Sequence, residues 1–110
     1  MTEVVPPSRV ENPIAERFIL FKLPTSEMRV VRLQIGIPLP IDNNPDSWSC
    51  QVALSGLYPA VSIVPGIDSL QCLSLSVSLL KKALDKLLQE GALLYWRDGS
   101  GPISLDELFS

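Results

Sequence analysis

Histidine is absent from this sequence of 110 residues. Imidazole is the side chain most often used as a general base near pH 7, and it is a frequent metal ligand. Its absence excludes Ser-His-Asp and Cys-His catalysis within the chain. The acidic pairs that remain are typical of turns and helix starts, without the spacing of a calcium site: Asp42 with Asp46, and Asp106 with Glu107. We therefore expect no enzyme activity, no cofactor and no metal.

Clusters of basic residues are lacking as well. The chain has 9 basic and 12 acidic residues, a net charge of −3, and no basic group larger than Lys81 with Lys82. Nucleic acid is not an expected partner, because its binding needs a stripe of Lys and Arg that neutralises phosphates. A mildly acidic domain is better suited to a basic protein partner, such as a cationic toxin.

Long apolar runs and a signal peptide are also missing. No stretch approaches the roughly 20 apolar residues that a membrane-spanning helix needs. The first residues, MTEVVPPSRVENP, combine acidic side chains and prolines where a signal peptide has a basic start and an apolar core. Cys50 and Cys72 lie among apolar neighbours without metal-ligand spacing. These features predict a cytoplasmic protein, not bound to membranes, with two buried free thiols.

Apolar residues, by contrast, are abundant. They make up 46% of the chain, and the mean hydropathy is +0.27. A chain of this length can bury a core without disulfides. Apolar residues beyond those that the core needs predict an apolar surface that faces a protein partner or a second copy of the chain. The alternative is a well-filled core. Residues 1–13 hold three prolines and predict an extended arm, followed by a single domain at residues 14–110.

Alternating apolar residues predict a sheet. Two strands separated by the turn at Pro24 are expected to form a hairpin, and a polar loop at 42–47 precedes the cleanest alternation, which starts at Trp48. The prolines around residues 60–64 favour an edge strand there. Strands are predicted at residues 18–23, 28–35, 48–55, 60–64 and 92–97.

A long helix is predicted from Asp68 to Glu90, where apolar residues recur every three or four positions. Asp68 with Gln71 has the form of a capping box, and Gly91 is a typical helix end. Charged residues occur only in the second half, so we expect the serine-rich first half to be buried nearly all round. The pattern predicts an α+β fold: a mostly antiparallel sheet of four to five strands (ββββαβ) packed against one long helix, with a short C-terminal helical turn.

Aromatic and arginine residues are the first candidates for partner contact. Tyr95 and Trp96 are neighbours on a predicted strand, so one of them should lie outside the core. Arg29 and Arg32 on the opening hairpin, together with Trp48, could form an arginine and aromatic surface. The alternative is that Trp48 is a core residue and the arginines are solvated.

Acidic residues are the second group of candidates. Asp42 and Asp46 lie in the polar loop, and Asp98 directly follows the last predicted strand, two residues after Trp96. An exposed acidic and aromatic patch formed by these residues would suit a basic partner.

Three segments resemble a family of small bacterial proteins of unknown function. They are Trp48-Ser49-Cys50, Ser55-Gly56-Leu57 and the helix start from Gly66 to Leu73. In that family an arginine-containing strand precedes a W-x-C strand, a G-L turn, a G-x-D-x-x-Q-x-L helix start and a later tryptophan. The resemblance spans about residues 15–97, but Pro65 stands where an aromatic residue is expected. It implies one domain and assigns no chemistry to any residue.

Three hypotheses about function remain open. The first is a non-enzymatic protein-binding domain, in its most concrete form an immunity-type inhibitor of a bacterial toxin. The second is a homo-oligomeric structural or scaffold domain that self-associates through the first half of the helix or through an open sheet edge. The third is an enzyme or ligand carrier that uses Asp and Arg side chains in a pocket between helix and sheet.

Overall fold

The computed structural model describes residues 10–25, 28–58 and 60–109. In this part of the chain the elements are β1 (Pro13–Lys22), β2 (Met28–Gly36), β3 (Leu39–Ile41), β4 (Asn44–Ser55), β5 (Ser62–Gly66), α1 (Ser69–Gln89), β6 (Leu93–Trp96) and α2 (Leu105–Leu108). The predicted α+β class, with its antiparallel sheet, long helix and short C-terminal helical turn, is confirmed.

The strands form one antiparallel sheet in the order β3-β4-β2-β1-β6. β3 continues the line of β2, because Ile35 lies opposite Val52 and Leu39 lies opposite Ser49 along the same edge of β4. Along its other edge β4 pairs with β5, which has no further strand partner among the described residues. The predicted first hairpin and the predicted edge strand are therefore both confirmed.

The prediction of a polar loop at 42–47 is wrong in length, because the observed turn is shorter. Asp42 and Asn43 form a two-residue turn with φ angles of 52° and 57°. Asn and Asp tolerate this left-handed region, and a turn of this kind matches the twist of the strands that it joins. β4 therefore begins at Asn44, whose side chain accepts a hydrogen bond from the Asp46 backbone N–H at 2.9 Å.

The last residues of the predicted N-terminal arm contact the sheet. Residues 1–9 lie outside the described residues, whereas Val10 is 4% exposed and forms a small apolar cluster with Ala53 and Val61. A Cβ atom at Gly36 would lie 2.8 Å from Val10, so the glycine leaves the room that Val10 occupies. Glu11 adds a backbone hydrogen bond to the Gln51 side chain at 2.8 Å. This segment thus packs on the sheet before β1 begins.

The main core lies between α1 and one face of the sheet, here called the covered face. Apolar burial is its source of stability, and α1 packs mainly on β4 and β5. The buried side chains of this core are Ile19, Phe21, Val31, Leu33, Ile35, Val52, Leu54, Val64, Leu80, Leu84, Ala92, Leu94, Ile103 and Leu108.

Both ends of α1 follow the predicted capping chemistry. The Asp68 carboxylate accepts from the Gln71 N–H at 2.7 Å, and the Gln71 side chain accepts from the Ile67 N–H at 2.8 Å. At the other end, Gly91 has a φ of 101° and the Ala92 N–H bonds to the carbonyl of Leu87. These bonds satisfy backbone groups that a helix end leaves free. Among the described residues neither helix combines the length and apolar character of a membrane span.

The expectation that the first half of α1 is buried nearly all round is wrong. Leu70, Leu75 and Leu79 are exposed to 75%, 44% and 39%. Cys72 and Ser76 face the sheet, and the Ser76 hydroxyl donates to the Cys72 carbonyl at 2.6 Å. One side of α1 therefore packs on the sheet, and leucines on both flanks of that side stay exposed to solvent, because the sheet offers a single surface for the helix to cover.

The prediction of two buried free thiols is confirmed. Burial raises the pKa of the Cys72 thiol, and the neighbouring Cys50 thiol adds to the effect. The Cys72 thiol is thus held in the protonated form that suits an apolar core.

Replacing Leu84 tests the orientation of α1. Leu84 is fully buried, so Leu84→Ala removes apolar contacts and leaves a cavity, which should lower the free energy of unfolding by about 2–5 kcal/mol. Leu70→Ala makes the same chemical change at an exposed position of the same helix and should alter it by no more than about 0.5 kcal/mol. Urea unfolding measures both, and equal losses would contradict this orientation.

Candidate functional site

The face of the sheet opposite α1 is here called the open face. Strand alternation assigns Ile19 and Leu33 to the covered face and their neighbours Phe18 and Arg32 to the open face. Among the described residues, the segment around Val10 crosses part of the open face, and no helix lies on it. Side chains on this face are consequently available to a partner.

A cluster on the open face is called the open-face patch and consists of Glu16, Phe18, Arg32, Gln34 and Arg97. β1 and β2 bring the first four together, since Phe18 lies opposite Arg32 and Glu16 lies opposite Gln34. Arg97 comes from the turn after β6, where β6 pairs with β1. The patch therefore combines three parts of the chain that are distant in sequence.

The Glu16 carboxylate is the polar centre of the patch. Its Oε2 atom accepts from Arg32 Nε at 3.1 Å and from Arg32 Nη2 at 2.7 Å. It also accepts from Gln34 Nε2 at 3.0 Å. The hydrogen bonds from Arg32 and Gln34 lower the pKa of Glu16 below its ordinary value of 4.5. The carboxylate is consequently held ionised and fixes the direction of the Arg32 guanidinium.

The Phe18 ring lies against two guanidinium groups. The guanidinium carbon of Arg32 is 5.3 Å from the ring centroid, and that of Arg97 is 4.6 Å from it. Such contacts stabilise a cation at the surface by about 0.5–1 kcal/mol each. Arg32 is neutralised by Glu16, whereas Arg97 has no carboxylate partner within the described part of the chain. The patch therefore presents one uncompensated, oriented positive charge.

Gln34 joins the patch to the N-terminal segment. It is 2% exposed, and its Oε1 atom is buried with no hydrogen-bond partner among the described residues. A buried acceptor without a partner costs about 1–3 kcal/mol. Beside it lies a hollow of about 470 Å³ lined by Val10, Glu11, Asn12, Pro13, Arg32 and Gln34. A buried polar group of this kind is unusual in a region that has only a packing role.

Tyr95 and Trp96 lie on opposite faces of β6, as expected. Trp96 is packed against the main core, and Tyr95 lies opposite Leu20 on the open face. Tyr95 is therefore the residue that lies outside the core. On the covered face, Arg17 is 5.6 Å from the centroid of the Trp96 ring.

The candidate acidic residues are not brought together. Asp42 and Asp46 belong to the β3–β4 hairpin at one end of the strand order, and Asp98 follows β6 at the other end. The Asp98 carboxylate accepts from the Ser100 N–H at 2.8 Å and from the Ser100 hydroxyl at 2.6 Å, which lowers the pKa of Asp98. Asp98 thus organises a turn, and an acidic and aromatic patch with Trp96 is not formed.

The two candidate arginines of β2 are separated by strand alternation. Arg32 lies in the open-face patch, whereas Arg29 points to the covered face and contacts the Gly56 carbonyl at 3.5 Å. Trp48 is partly buried, and its indole N–H donates to the Pro45 carbonyl at 2.9 Å. Phe18 and Arg97 are missing from the predicted set. The alternation of residues 16, 18 and 20 could have indicated Phe18, but the nearness of Arg97 depends on the pairing of β1 with β6.

Comparison with protein-family models, with curated proteins and with solved structures finds no match for this chain. The described residues contain no group of three or more Cys, Asp or Glu side chains that could hold a metal ion. The open-face patch combines one carboxylate, one buried amide and two guanidinium groups around the Phe18 ring.

Removing the Glu16 carboxylate tests the electrostatics of the patch. Because the folded state lowers the pKa of Glu16, its stabilising contribution is present above pH 4.5 and is lost as the pH falls through the lowered pKa. Glu16→Gln should therefore be less stable than the unaltered protein at pH 7, and the two should converge towards pH 3.

Chemical denaturation across this pH range measures the difference. Glu90→Gln, which removes the same charge at the end of α1, is the matched control for general charge effects. A difference between Glu16→Gln and the unaltered protein that stays constant with pH would contradict the assignment of Glu16 as an ion-pair centre.

Proposed function

We propose that this chain is a non-enzymatic protein-binding domain that contacts its partner through the open-face patch. The observation that carries the proposal is the pair of guanidinium groups held against the exposed side of Phe18, at 5.3 Å and 4.6 Å. Arginine and aromatic residues are enriched among the side chains that dominate binding energy at interfaces. An arginine fixed by a carboxylate and a ring loses less conformational freedom on binding than a free one.

Apolar side chains around the patch support the same function. Val30, Met28 and Leu93 lie on the open face and are exposed to 56%, 49% and 43%. A partner that covers them gains apolar burial and also removes water from the Arg97 guanidinium. The partner surface should therefore combine apolar side chains with at least one carboxylate that faces Arg97.

An immunity-type inhibitor of a bacterial toxin is the particular form that we propose for this binding domain. The net charge of −3 favours the approach of a cationic toxin, and the patch then supplies the short-range contacts. Lack of histidine agrees with an inhibitor that acts by covering its target. The natural test is co-expression with the product of the neighbouring gene, followed by purification of the complex.

Reversing the charges of the patch tests its role. Arg32→Glu combined with Arg97→Glu should weaken the complex at least tenfold, since about 1.4 kcal/mol corresponds to tenfold and interface anchors exceed this. Lys82→Glu combined with Lys86→Glu makes the same charge change on the exposed side of α1 and should leave the affinity within about threefold. Titration calorimetry with the co-purified partner measures both, and equal losses would contradict the patch as the contact surface.

Self-association is a second candidate function, favoured by the exposed leucines of α1. Leu75 and Leu79 are four residues apart and therefore form a short apolar stripe on one flank of the helix, beside its buried face. A second copy could cover this stripe, as in other apolar helix contacts. The open-face patch would then stay free for another partner.

Light scattering decides between a monomer and a dimer. If α1 is the interface, Leu75→Ser combined with Leu79→Ser should convert a dimer into a monomer of unchanged helix content. The matched control is Val30→Ser combined with Leu93→Ser, which removes exposed apolar side chains from the open face. A protein that stays monomeric at high concentration would rule out self-association as its function.

A further inference from the structure

A cavity on the covered face shares one lining residue, Glu16, with the open-face patch and is otherwise formed by different residues. It has a volume of about 300 Å³, which is at the lower end of the range for small-molecule sites. It opens between α1 and α2 above β1 and β2. Its apolar walls are formed by Ala15, Leu33, Ile35, Val77, Leu80, Leu108 and Phe109, and the two charged residues Glu16 and Arg17 complete the lining.

The layout of the helices explains why the cavity exists. α1 packs mainly on β4 and β5, and α2 is a single turn of four residues. Together they are too narrow to cover β1 and β2 completely. The side chains of Val77 and Phe109 are therefore only partly buried, although they belong to the margin of the main core.

Arg17 is the cation at the wall of this cavity. Strand alternation places it on the covered face, and one guanidinium nitrogen, Nη1, donates to the Leu108 carbonyl. The guanidinium carbon of Arg17 also lies 5.6 Å from the centroid of the Trp96 ring. An arginine has five N–H donors, and a single hydrogen bond from Arg17 is present within the described residues.

The charge of Arg17 is not compensated locally. The carboxylate next to it in sequence, Glu16, is bound to Arg32 on the other face of the sheet. No other carboxylate forms an ion pair with Arg17 in the described part of the chain. A guanidinium that is oriented by a carbonyl and a ring, and that borders an apolar cavity, is complementary to an anion with an apolar body.

We propose that this cavity binds a small carboxylic acid with an apolar body, of the size of a medium-chain fatty acid or an arylalkanoic acid. The carboxylate contacts the free N–H groups of Arg17, and the apolar body lies between Val77, Leu80 and Phe109. The planar fork of the Arg17 guanidinium fits a planar carboxylate, and the Lys81 ammonium, 5.3 Å from the centroid of the Phe109 ring, adds a second cation near the same wall.

Titration of the full chain with octanoate and with 4-phenylbutyrate tests the proposal. Saturable binding should change the fluorescence of Trp96, because the ligand meets the guanidinium that lies against its ring. Trp48→Phe should keep this signal, which assigns it to Trp96. Octanol has the same body without the charge, and acetate has the charge without the body. Both should bind at least about tenfold more weakly than octanoate.

Three variants separate the roles of charge and cavity. Arg17→Ala should weaken octanoate binding at least tenfold, and Arg17→Lys should weaken it less, because the charge remains while the fork of donors is lost. Val77→Phe keeps Arg17 and fills the cavity, so it should weaken octanoate and 4-phenylbutyrate alike. Thermal unfolding and helix content confirm that each variant is folded.

Three results would overturn the proposal. They are the lack of saturable octanoate binding at millimolar concentration, equal binding of octanol and octanoate, and unchanged binding by both Arg17→Ala and Val77→Phe. None of them depends on partner binding at the open-face patch, whose two guanidinium groups lie on the other side of the sheet. Arg32→Glu combined with Arg97→Glu should accordingly leave octanoate binding unchanged.

Discussion

The packing of α1 on one face of the sheet is the contact on which the other features depend. Leu80 and Leu84 of this helix lie at 2% and 0% exposure against side chains of the strands. A chain of 110 residues provides one long helix, and one helix covers one face. The other face of the sheet therefore remains open, and its side chains must either be solvated, be covered by a coil segment, or meet a partner.

The open face shows the first two of these solutions. Val10 covers Ala53 with a coil segment, and Glu16 with Arg32 provides a solvated ion pair whose side chains are 38% and 39% exposed. Apolar residues such as Val30 remain uncovered. The combination of fixed arginines with uncovered apolar side chains is the composition of a recognition surface, which is the basis of the proposed binding function.

The covered face carries a different kind of opening. Since α1 lies towards β4 and β5, the region above β1 is left to one turn of helix and to Arg17. Arg17 and Arg32 come from neighbouring strands and point to opposite sides of the sheet. Arg32 is neutralised by Glu16, whereas Arg17 borders the cavity without an ion-pair partner among the described residues. The two proposed sites, one for a protein and one for a small acid, therefore present their guanidinium groups on opposite faces of the sheet.

Much of the fold could be predicted from local patterns. Asp68 and Gly91 mark the ends of α1, and the alternation from Trp48 marks a strand, because caps and alternation depend on neighbours in sequence. The candidate site was predicted less well. Arg32 and Tyr95 lie on the open face. The expected acidic patch beside Trp96 is not formed, because Asp42 and Asp46 belong to the β3–β4 hairpin and Asp98 organises the turn after β6.

The sequence by itself determined the α+β class, the limits of α1, the first hairpin and the buried state of Cys50 and Cys72. Only the tertiary structure decided that β6 lies next to β1, which brings Arg97 to the Phe18 ring. It also decided that the first half of α1 has one exposed side. The physical reason is that caps and strand alternation are set by residues a few positions apart, whereas the order of strands and the coverage of each face are set by packing between segments distant in sequence.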